Sequence, residues 1–86
     1  MYFFVYVLES MQDNSSYIGY TNNMNRRIEE HNQGLNYDTK RKIPWKIIYY
    51  EVSLNKFDAI AREKYLKSGM GRRYLKNRLK NQISDF

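Results

Sequence analysis

The segment over residues 2–8 constrains the fold more than any other part of the sequence. It reads Tyr-Phe-Phe-Val-Tyr-Val-Leu, so aromatic and β-branched side chains occupy consecutive positions. Because successive side chains of a strand point to opposite faces of a sheet, this strand would present apolar surface on both faces. The segment therefore predicts a buried strand that lies in the middle of a sheet.

Two more strands and three helices are predicted in the rest of the chain. The strand over residues 17–21 follows the first after a short polar turn, which favours an antiparallel hairpin. The order strand, strand, helix, strand, helix, helix predicts an α+β fold, in which a three-stranded antiparallel sheet is flanked by three helices. The other elements are expected over residues 23–33 (helix), 45–52 (strand), 56–68 (helix) and 72–82 (helix).

The first predicted helix carries a row of side chains that is expected to face the core. Met24, Ile28, His31 and Leu35 follow the spacing i, i+4, i+7, i+11, which is typical of the buried side of a helix. Arg27 lies one turn before His31 and borders this row. Its guanidinium group is therefore expected to point toward the edge of the sheet rather than into open water.

A break is predicted between the two later helices. Residues 68–71 read Ser-Gly-Met-Gly, and glycine disfavours a continuous helix. On the helix before the break, Glu63 falls between apolar neighbours and near the boundary of the core. On the helix after it, Leu75, Leu79 and Ile83 are expected to share the buried side.

The charge of the chain indicates the class of its partner. The formal net charge is +6 and the isoelectric point is about 9.6, which favours binding to a polyanion such as nucleic acid. The sequence contains no cysteine, which excludes disulfides and thiolate metal sites. We find no signal-peptide pattern and no apolar run long enough to cross a membrane. We therefore expect a soluble cytoplasmic protein that binds nucleic acid rather than a membrane.

Two groups of cations are expected to contact the phosphates of a nucleic acid rather than its base edges. One group lies in the polar connection before the third strand, and the other lies on the last helix. These cations are Lys40, Arg41 and Lys42 in the connection, and Arg72, Arg73 and Lys76 on the helix.

Several short motifs, taken together and in order, resemble those of the GIY-YIG nuclease family. Residues 4–6 (Phe-Val-Tyr) stand where that family has its GIY element, and residues 17–19 (Tyr-Ile-Gly) form a complete YIG element. Phe4 replaces the first glycine of the family, which removes a close approach to the backbone. The remaining matches are Arg27 and His31 in an Arg-x-x-x-His helix, Glu63 within Ala-Arg-Glu-Lys, and Asn77.

The resemblance covers nearly the whole chain and implies a domain organisation. The chain is most similar to small stand-alone bacterial members, which are related to the nuclease domain of a bacterial excision-repair protein. Residues 1–86 are accordingly expected to form a single GIY-YIG-like domain, with a possible role in DNA repair.

The resemblance also implies metal-dependent hydrolysis of DNA phosphodiester bonds. It assigns the general base to Tyr6 or Tyr17 and leaves the choice open. A phenol has a pKa of about 10, so either tyrosine needs a nearby cation to act as a base at neutral pH. The other implied roles are phosphate and transition-state stabilisation by Arg27, proton relay by His31, a catalytic role for Asn77, a structural role for Gly19, and binding of a single Mg²⁺ or Mn²⁺ ion by Glu63.

Two other classes of function stay open beside the endonuclease. One is a nucleic-acid-binding module with a weak or inactive site, and the other is a basic accessory protein recruited to a repair or ribosomal complex. Each candidate residue alone also has a structural explanation, such as packing of a strand tyrosine or an ion pair between Glu63 and Lys67. We predict the endonuclease, with DNA favoured over RNA, because the candidate residues occur together in the order of the family.

Overall fold

The computed structural model describes residues 1–82, and its elements follow the predicted order ββαβαα. None of the helices within these residues has the length and apolar character needed to cross a lipid bilayer. In chain order the elements are β1 (Phe3–Ser10), β2 (Ser16–Thr21), α1 (Met24–Asn32), β3 (Trp45–Ser53), α2 (Lys56–Lys67) and α3 (Gly69–Arg78).

The three strands form one antiparallel sheet with β1 in the middle, as the apolar composition of residues 2–8 predicts. The strand order is β2-β1-β3, and β1 pairs in the antiparallel sense with both neighbours. Tyr6 on β1 lies opposite Gly19 on β2 and opposite Tyr50 on β3. The predicted α+β fold with a three-stranded sheet is therefore confirmed.

Alternate residues of β1 face two different layers of helices. Val5 and Val7 are buried in a core with Leu66 of α2 and Leu75 of α3. Tyr6 and the other residues of opposite parity face α1. This second cluster combines Tyr6, Leu8 and Trp45 with the half-buried side chains of Met24 and Ile28 from α1. The sheet thus separates α1 from the α2–α3 pair.

The predicted buried side of α1 is correct except at its last position. His31 is fully buried and Met24 and Ile28 are half-buried, but Leu35 is 69% exposed. The helix ends at Asn32, and Gly34 adopts a left-handed backbone with φ of 78°. A left-handed residue turns the chain away from the helix axis, so Leu35 leaves the row that the sequence spacing predicts.

The predicted break between the last two helices is shorter than expected. Ser68 alone separates them, and its side chain accepts a hydrogen bond from the backbone N–H of Gly71, as an N-cap does. Gly69 and Gly71 lie inside α3 instead of before it. A methyl group on Gly71 would overlap the backbone of Tyr65 and Leu66, so this glycine permits close packing of α3 on α2.

The last helix is displaced toward the N-terminus relative to the prediction for residues 72–82. It covers Gly69–Arg78, and the following residues form turns in which the Gln82 side-chain amide donates a hydrogen bond of 2.8 Å to the backbone carbonyl of Ile48. Leu75 and Leu79 are buried, as expected. The predicted third member of this row, Ile83, lies outside the described residues.

Candidate active site

The candidate site is built around the hydroxyl group of Tyr6. The residue is fully buried on the α1 face of the central strand. Its hydroxyl group shares a hydrogen bond of 2.8 Å with Nε2 of His31 and accepts a longer one, 3.4 Å, from Nε of Arg27. Burial raises the pKa of Tyr6 to about 12, and the hydrogen bond and positive charge of Arg27 oppose that shift. The hydroxyl group is therefore protonated at neutral pH.

His31 is buried in α1 with both ring nitrogens in hydrogen bonds. Nε2 bonds to the Tyr6 hydroxyl and Nδ1 bonds to the hydroxyl group of Thr39 at 2.7 Å. Burial, with a further contribution from the charge of Arg27, lowers the pKa of His31 to about 4. The imidazole is therefore neutral at pH 7, with one nitrogen donating and the other accepting.

The depressed pKa of His31 predicts an acid titration that is simple to observe, because the chain contains one histidine. We expect the imidazole ¹H signals in an NMR pH titration to move with a midpoint near pH 4, well below the ordinary value of about 6.5. Since the unfolded imidazole binds its proton at higher pH than the folded one, the free energy of unfolding should also decrease as the pH falls through this interval. A midpoint near 6.5 would contradict the buried, neutral state.

Thr39 completes this cluster, and sequence reasoning missed it. The residue lies in the polar connection after α1, yet it is fully buried. Besides the bond from its hydroxyl group to His31, its backbone carbonyl accepts a hydrogen bond of 2.9 Å from Nε1 of Trp45. Local periodicity carries no sign of these contacts. The one available signal is that a buried histidine needs a second hydrogen-bond partner.

Arg27 connects the buried hydroxyl group to the protein surface. Its side chain is 32% exposed and makes an ion pair of 3.0 Å with Glu30, one turn further along α1. It also lines a surface groove of about 380 Å³ between the end of β2, α1 and the start of α2. The groove is lined by Tyr20, Thr21, Asn22, Arg26, Arg27, Glu30 and Lys56.

Tyr17 contacts the cluster through its ring. The ring centroid lies 5.1 Å from that of His31 and 6.5 Å from that of Tyr6, in edge-on and tilted arrangements. It also packs edge-on against Trp45 at 6.5 Å. The structure thus brings Tyr6, Tyr17, Arg27 and His31 together, and of the two tyrosines it is Tyr6 whose hydroxyl bonds to both the arginine and the histidine.

Gly19 provides the space that the Tyr6 hydroxyl occupies. The two residues are opposite each other on β1 and β2, and a methyl group on Gly19 would overlap the hydroxyl end of the Tyr6 ring. Glycine is needed here because a side chain would collide with Tyr6, and not because the backbone adopts an unusual angle.

Substituting Gly19→Ala should therefore displace the Tyr6 ring and break its bonds to Arg27 and His31. We expect the free energy of unfolding, measured by urea denaturation, to fall by about 1–3 kcal/mol, as is usual for overpacking in a core. Gly69→Ala is the matched control, because a methyl group there meets no atom within 4 Å. Equal stability of the two variants would contradict the tight fit of Tyr6 over Gly19.

Glu63 lies on α2, in the layer of helices on the other side of the sheet from α1. Its side chain is 20% exposed and makes an ion pair of 3.4 Å with Lys67. Burial is the main cause of the raised pKa of Tyr6, and the negative charge of Glu63 is among the groups that raise it further. Within residues 1–82 no hydrogen bond joins Glu63 to the Tyr6 hydroxyl, so the influence of Glu63 on that group is through its charge.

The donor set fits a divalent ion that is held mainly by water and substrate. Within residues 1–82 no three His, Cys, Asp or Glu side chains group together as a metal site. Mg²⁺ commonly keeps several waters and binds through one or two carboxylates together with phosphate oxygens. Glu63 is partly exposed and can supply one such carboxylate once it releases Lys67.

The remaining predicted residues lie away from the Tyr6 hydroxyl. Asn77 is exposed on α3 and makes no contact with the cluster in the part of the chain described. Arg72, Arg73 and Lys76 are on the same helix, on the opposite side of the sheet from α1. By contrast, Lys40, Arg41 and Lys42 directly follow Thr39; Lys40 lies 4.8 Å from the Tyr37 ring centroid, and Lys42 pairs with Asp13 at 3.1 Å.

Comparison with known proteins agrees with the motifs and the fold. The family model for the GIY-YIG catalytic domain matches residues 2–81. A UPF0213 protein of Clostridium perfringens (strain 13 / Type A) is 42% identical over 65 residues, which are 74% of this chain and 69% of that protein. A UPF0213 protein of Pediococcus pentosaceus is 40% identical over 84 residues, which are 95% of this chain and 86% of that protein.

A solved structure shares the architecture. The solution NMR structure of a UPF0213 protein from Bacillus halodurans matches with a TM-score of 0.54 and 32% sequence identity, over 87% of this chain and 82% of that chain. The family model spans nearly the whole chain, and the relatives match over most of their own length. The chain therefore belongs to the GIY-YIG family.

Proposed function

We propose that this protein is a metal-dependent endonuclease that hydrolyses phosphodiester bonds in DNA. Membership of the family implies a nucleic-acid substrate, and nucleases of this family generally use a divalent metal ion. The observation that carries the proposal is the row of hydrogen bonds that joins Arg27, Tyr6, His31 and Thr39. It links a phenol to a cation, which favours the phenolate form, and to a neutral imidazole that can hydrogen-bond to the hydroxyl group, and both contacts suit a tyrosine that acts as a general base.

Tyr6 is the better candidate for the general base because its hydroxyl group is hydrogen-bonded both to a cation, Arg27, and to a neutral imidazole, His31. Arg27 donates a hydrogen bond to the hydroxyl oxygen and favours the phenolate form. His31 is neutral at pH 7, and its Nε2 can accept a hydrogen bond from the Tyr6 hydroxyl when Nδ1 carries the ring proton and donates a hydrogen bond to Thr39. Tyr17 contacts the same cluster through its ring. We therefore propose that Tyr17 packs against the base and does not itself act as the base.

Glu63 is the proposed ligand of the divalent ion. A bound ion would neutralise charge on the phosphate and supply a water of lowered pKa. In the protein alone, burial raises the pKa of Tyr6 and the charge of Glu63 adds to that shift, which is unfavourable for a base. Binding of a cation by Glu63 would offset that smaller contribution, so we expect Tyr6 to be a better base in the metal-loaded protein than in the protein alone.

The two groups of cations are proposed to bind different parts of the substrate. Lys40, Arg41 and Lys42 follow Thr39 directly and hence lie on the side of the sheet that carries the Tyr6 hydroxyl. The cations of α3 lie on the other side. We propose that the first group holds phosphates next to the cleaved bond and that Arg72, Arg73 and Lys76 contact a more distant stretch.

The proposal is tested by incubating the purified protein with a panel of linear, flapped, branched and single-stranded DNAs. We expect cleavage of at least one substrate with Mn²⁺ or Mg²⁺ and none in EDTA. A matched RNA panel tests the preference for DNA. Binding of these substrates without cleavage under any condition would refute the endonuclease and favour the binding module.

A further inference from the structure

The α1 face of the sheet is not fully covered by α1. The helix packs over Tyr6 and Leu8, but the side chains beside them at the β3 edge remain accessible and form a groove of about 400 Å³. Ligand pockets in proteins commonly have volumes of about 300–1,000 Å³. The residues that define its walls and rim are Phe4, Met24, Ile47 and Tyr50, with Asn22 and Asn25.

Two aromatic rings form one wall of this groove. The ring centroids of Phe4 and Tyr50 are 6.0 Å apart with a 55° angle between their planes. Both side chains point to the α1 face, because Tyr50 pairs with Tyr6 and Phe4 has the same parity along β1. Tyr50 is 55% exposed, so its ring is open to a planar ligand.

Amide groups form the rim. Asn22 and Asn25 are exposed, and within residues 1–82 neither side chain makes a hydrogen bond. Asn23 caps α1 through its Oδ1, which accepts from the backbone N–H of Arg26 at 3.1 Å. An asparagine amide offers a donor and an acceptor side by side, which is the pattern that nucleobase edges also present.

The groove adjoins the groove that contains Arg27. Asn22 lines both this groove and the neighbouring one that contains Arg27. A nucleotide held here would place the phosphates next to it close to Arg27. The lining contains no carboxylate, and the whole chain carries a net charge of +6, so an anionic strand can enter without repulsion.

We infer that this groove binds one unpaired base of the nucleic-acid substrate, which stacks on Phe4 and Tyr50 and bonds to the asparagine rim. The inference rests on the proposed function and narrows its substrate class to DNA with an unpaired segment at the cleaved bond. A base within a duplex has both faces covered by its neighbours, so only an unpaired base can stack on protein side chains. Phe4, which stands in place of a glycine of the family motif, supplies the ring.

The test uses the fluorescence of 2-aminopurine, which is quenched when the base stacks. The probe is placed in a short single-stranded DNA and in a matched duplex, with EDTA present so that cleavage does not contribute. We expect the wild-type protein to quench the single strand and not the duplex. Phe4→Leu and Tyr50→Leu should each abolish quenching and weaken single-strand binding by about 5- to 150-fold, as loss of one aromatic stack generally does.

The control is Phe57→Leu, which removes an exposed aromatic ring that does not line the groove. It should quench and bind as the wild type does, and thermal melts followed by circular dichroism establish that each variant is folded. Tyr50→Leu is the safer of the two groove variants, because its ring is more than half exposed.

Several results would overturn the inference. They are absence of quenching by the wild type, equal loss of single-strand and duplex binding in the groove variants, and sedimentation of the wild type as a dimer that these variants disrupt. The last result would assign the groove to a second copy of the chain. Quenching without cleavage of any substrate would support this inference and refute the endonuclease. Cleavage without quenching would support the endonuclease and refute this inference.

Discussion

Replacing Glu63 with glutamine should reduce metal-dependent cleavage by at least ~10²–10³-fold, the usual loss when one charge-stabilising group is removed from such a site. The amide keeps the shape of the side chain but lacks the negative charge that strengthens the binding of a hard divalent cation. Affinity for the substrate, measured by fluorescence anisotropy in EDTA, should hardly change, because Glu63 is not proposed to contact phosphate. Single-turnover cleavage with Mn²⁺ gives the rate.

Two control variants separate the metal role from other effects of this change. Lys67→Met breaks the same ion pair but leaves the carboxylate, so cleavage should persist. Glu29→Gln removes one negative charge from α1, away from the proposed metal ligand, and should also have little effect. Retention of full activity by Glu63→Gln would exclude this residue as the metal ligand.

The second large effect is expected from Tyr6→Phe compared with Tyr17→Phe. Loss of the Tyr6 hydroxyl removes the group that bonds to both His31 and Arg27, and we expect cleavage to fall by ~10²–10³-fold. Tyr17→Phe keeps the ring contacts with Tyr6 and His31, and its cleavage rate should stay near that of the wild type. The opposite pattern would assign the base to Tyr17.

Stability must be measured together with these rates. Tyr6→Phe leaves a buried ring nitrogen of His31 without its partner, which generally costs about 1–3 kcal/mol. The cleavage assays therefore belong at a temperature at which circular dichroism shows both variants to be folded. A rate loss that recovers on cooling along with the fold would indicate a structural role for the hydroxyl group.

The parts of the fold that the sequence predicts well are those that local composition determines. The consecutive apolar residues of β1 require cover on both faces, and the order of elements then leaves few arrangements of the sheet. The prediction for Leu35 failed because Gly34 redirects the chain, which the spacing of apolar residues does not register. The start of α3 was misplaced because glycine, usually a helix breaker, permits the close packing of Gly71 against α2.

In the candidate site, too, the sequence identifies some residues, whereas others are recognised only from the tertiary structure. The motifs indicate Tyr6, Arg27 and His31, but the contact of Thr39 with His31 depends on how a polar connection folds back over α1. No periodic pattern encodes such a contact. Likewise, the sequence identifies Phe4 as a departure from the family motif. Its position in an open groove depends on how much of the sheet α1 covers, which the sequence does not reveal.

The burial of the Tyr6–His31–Thr39 bonds has a consequence for judging activity from sequence within this family. These three side chains are fully buried and satisfy one another, so a relative that had lost its chemistry would still need them in order to fold. Glu63 is partly exposed and pairs with an i,i+4 lysine, so folding places little demand on it. On the proposed role of Glu63 as metal ligand, a change at this residue among relatives should mark the loss of cleavage, whereas an intact tyrosine and histidine should be found in active and inactive proteins alike.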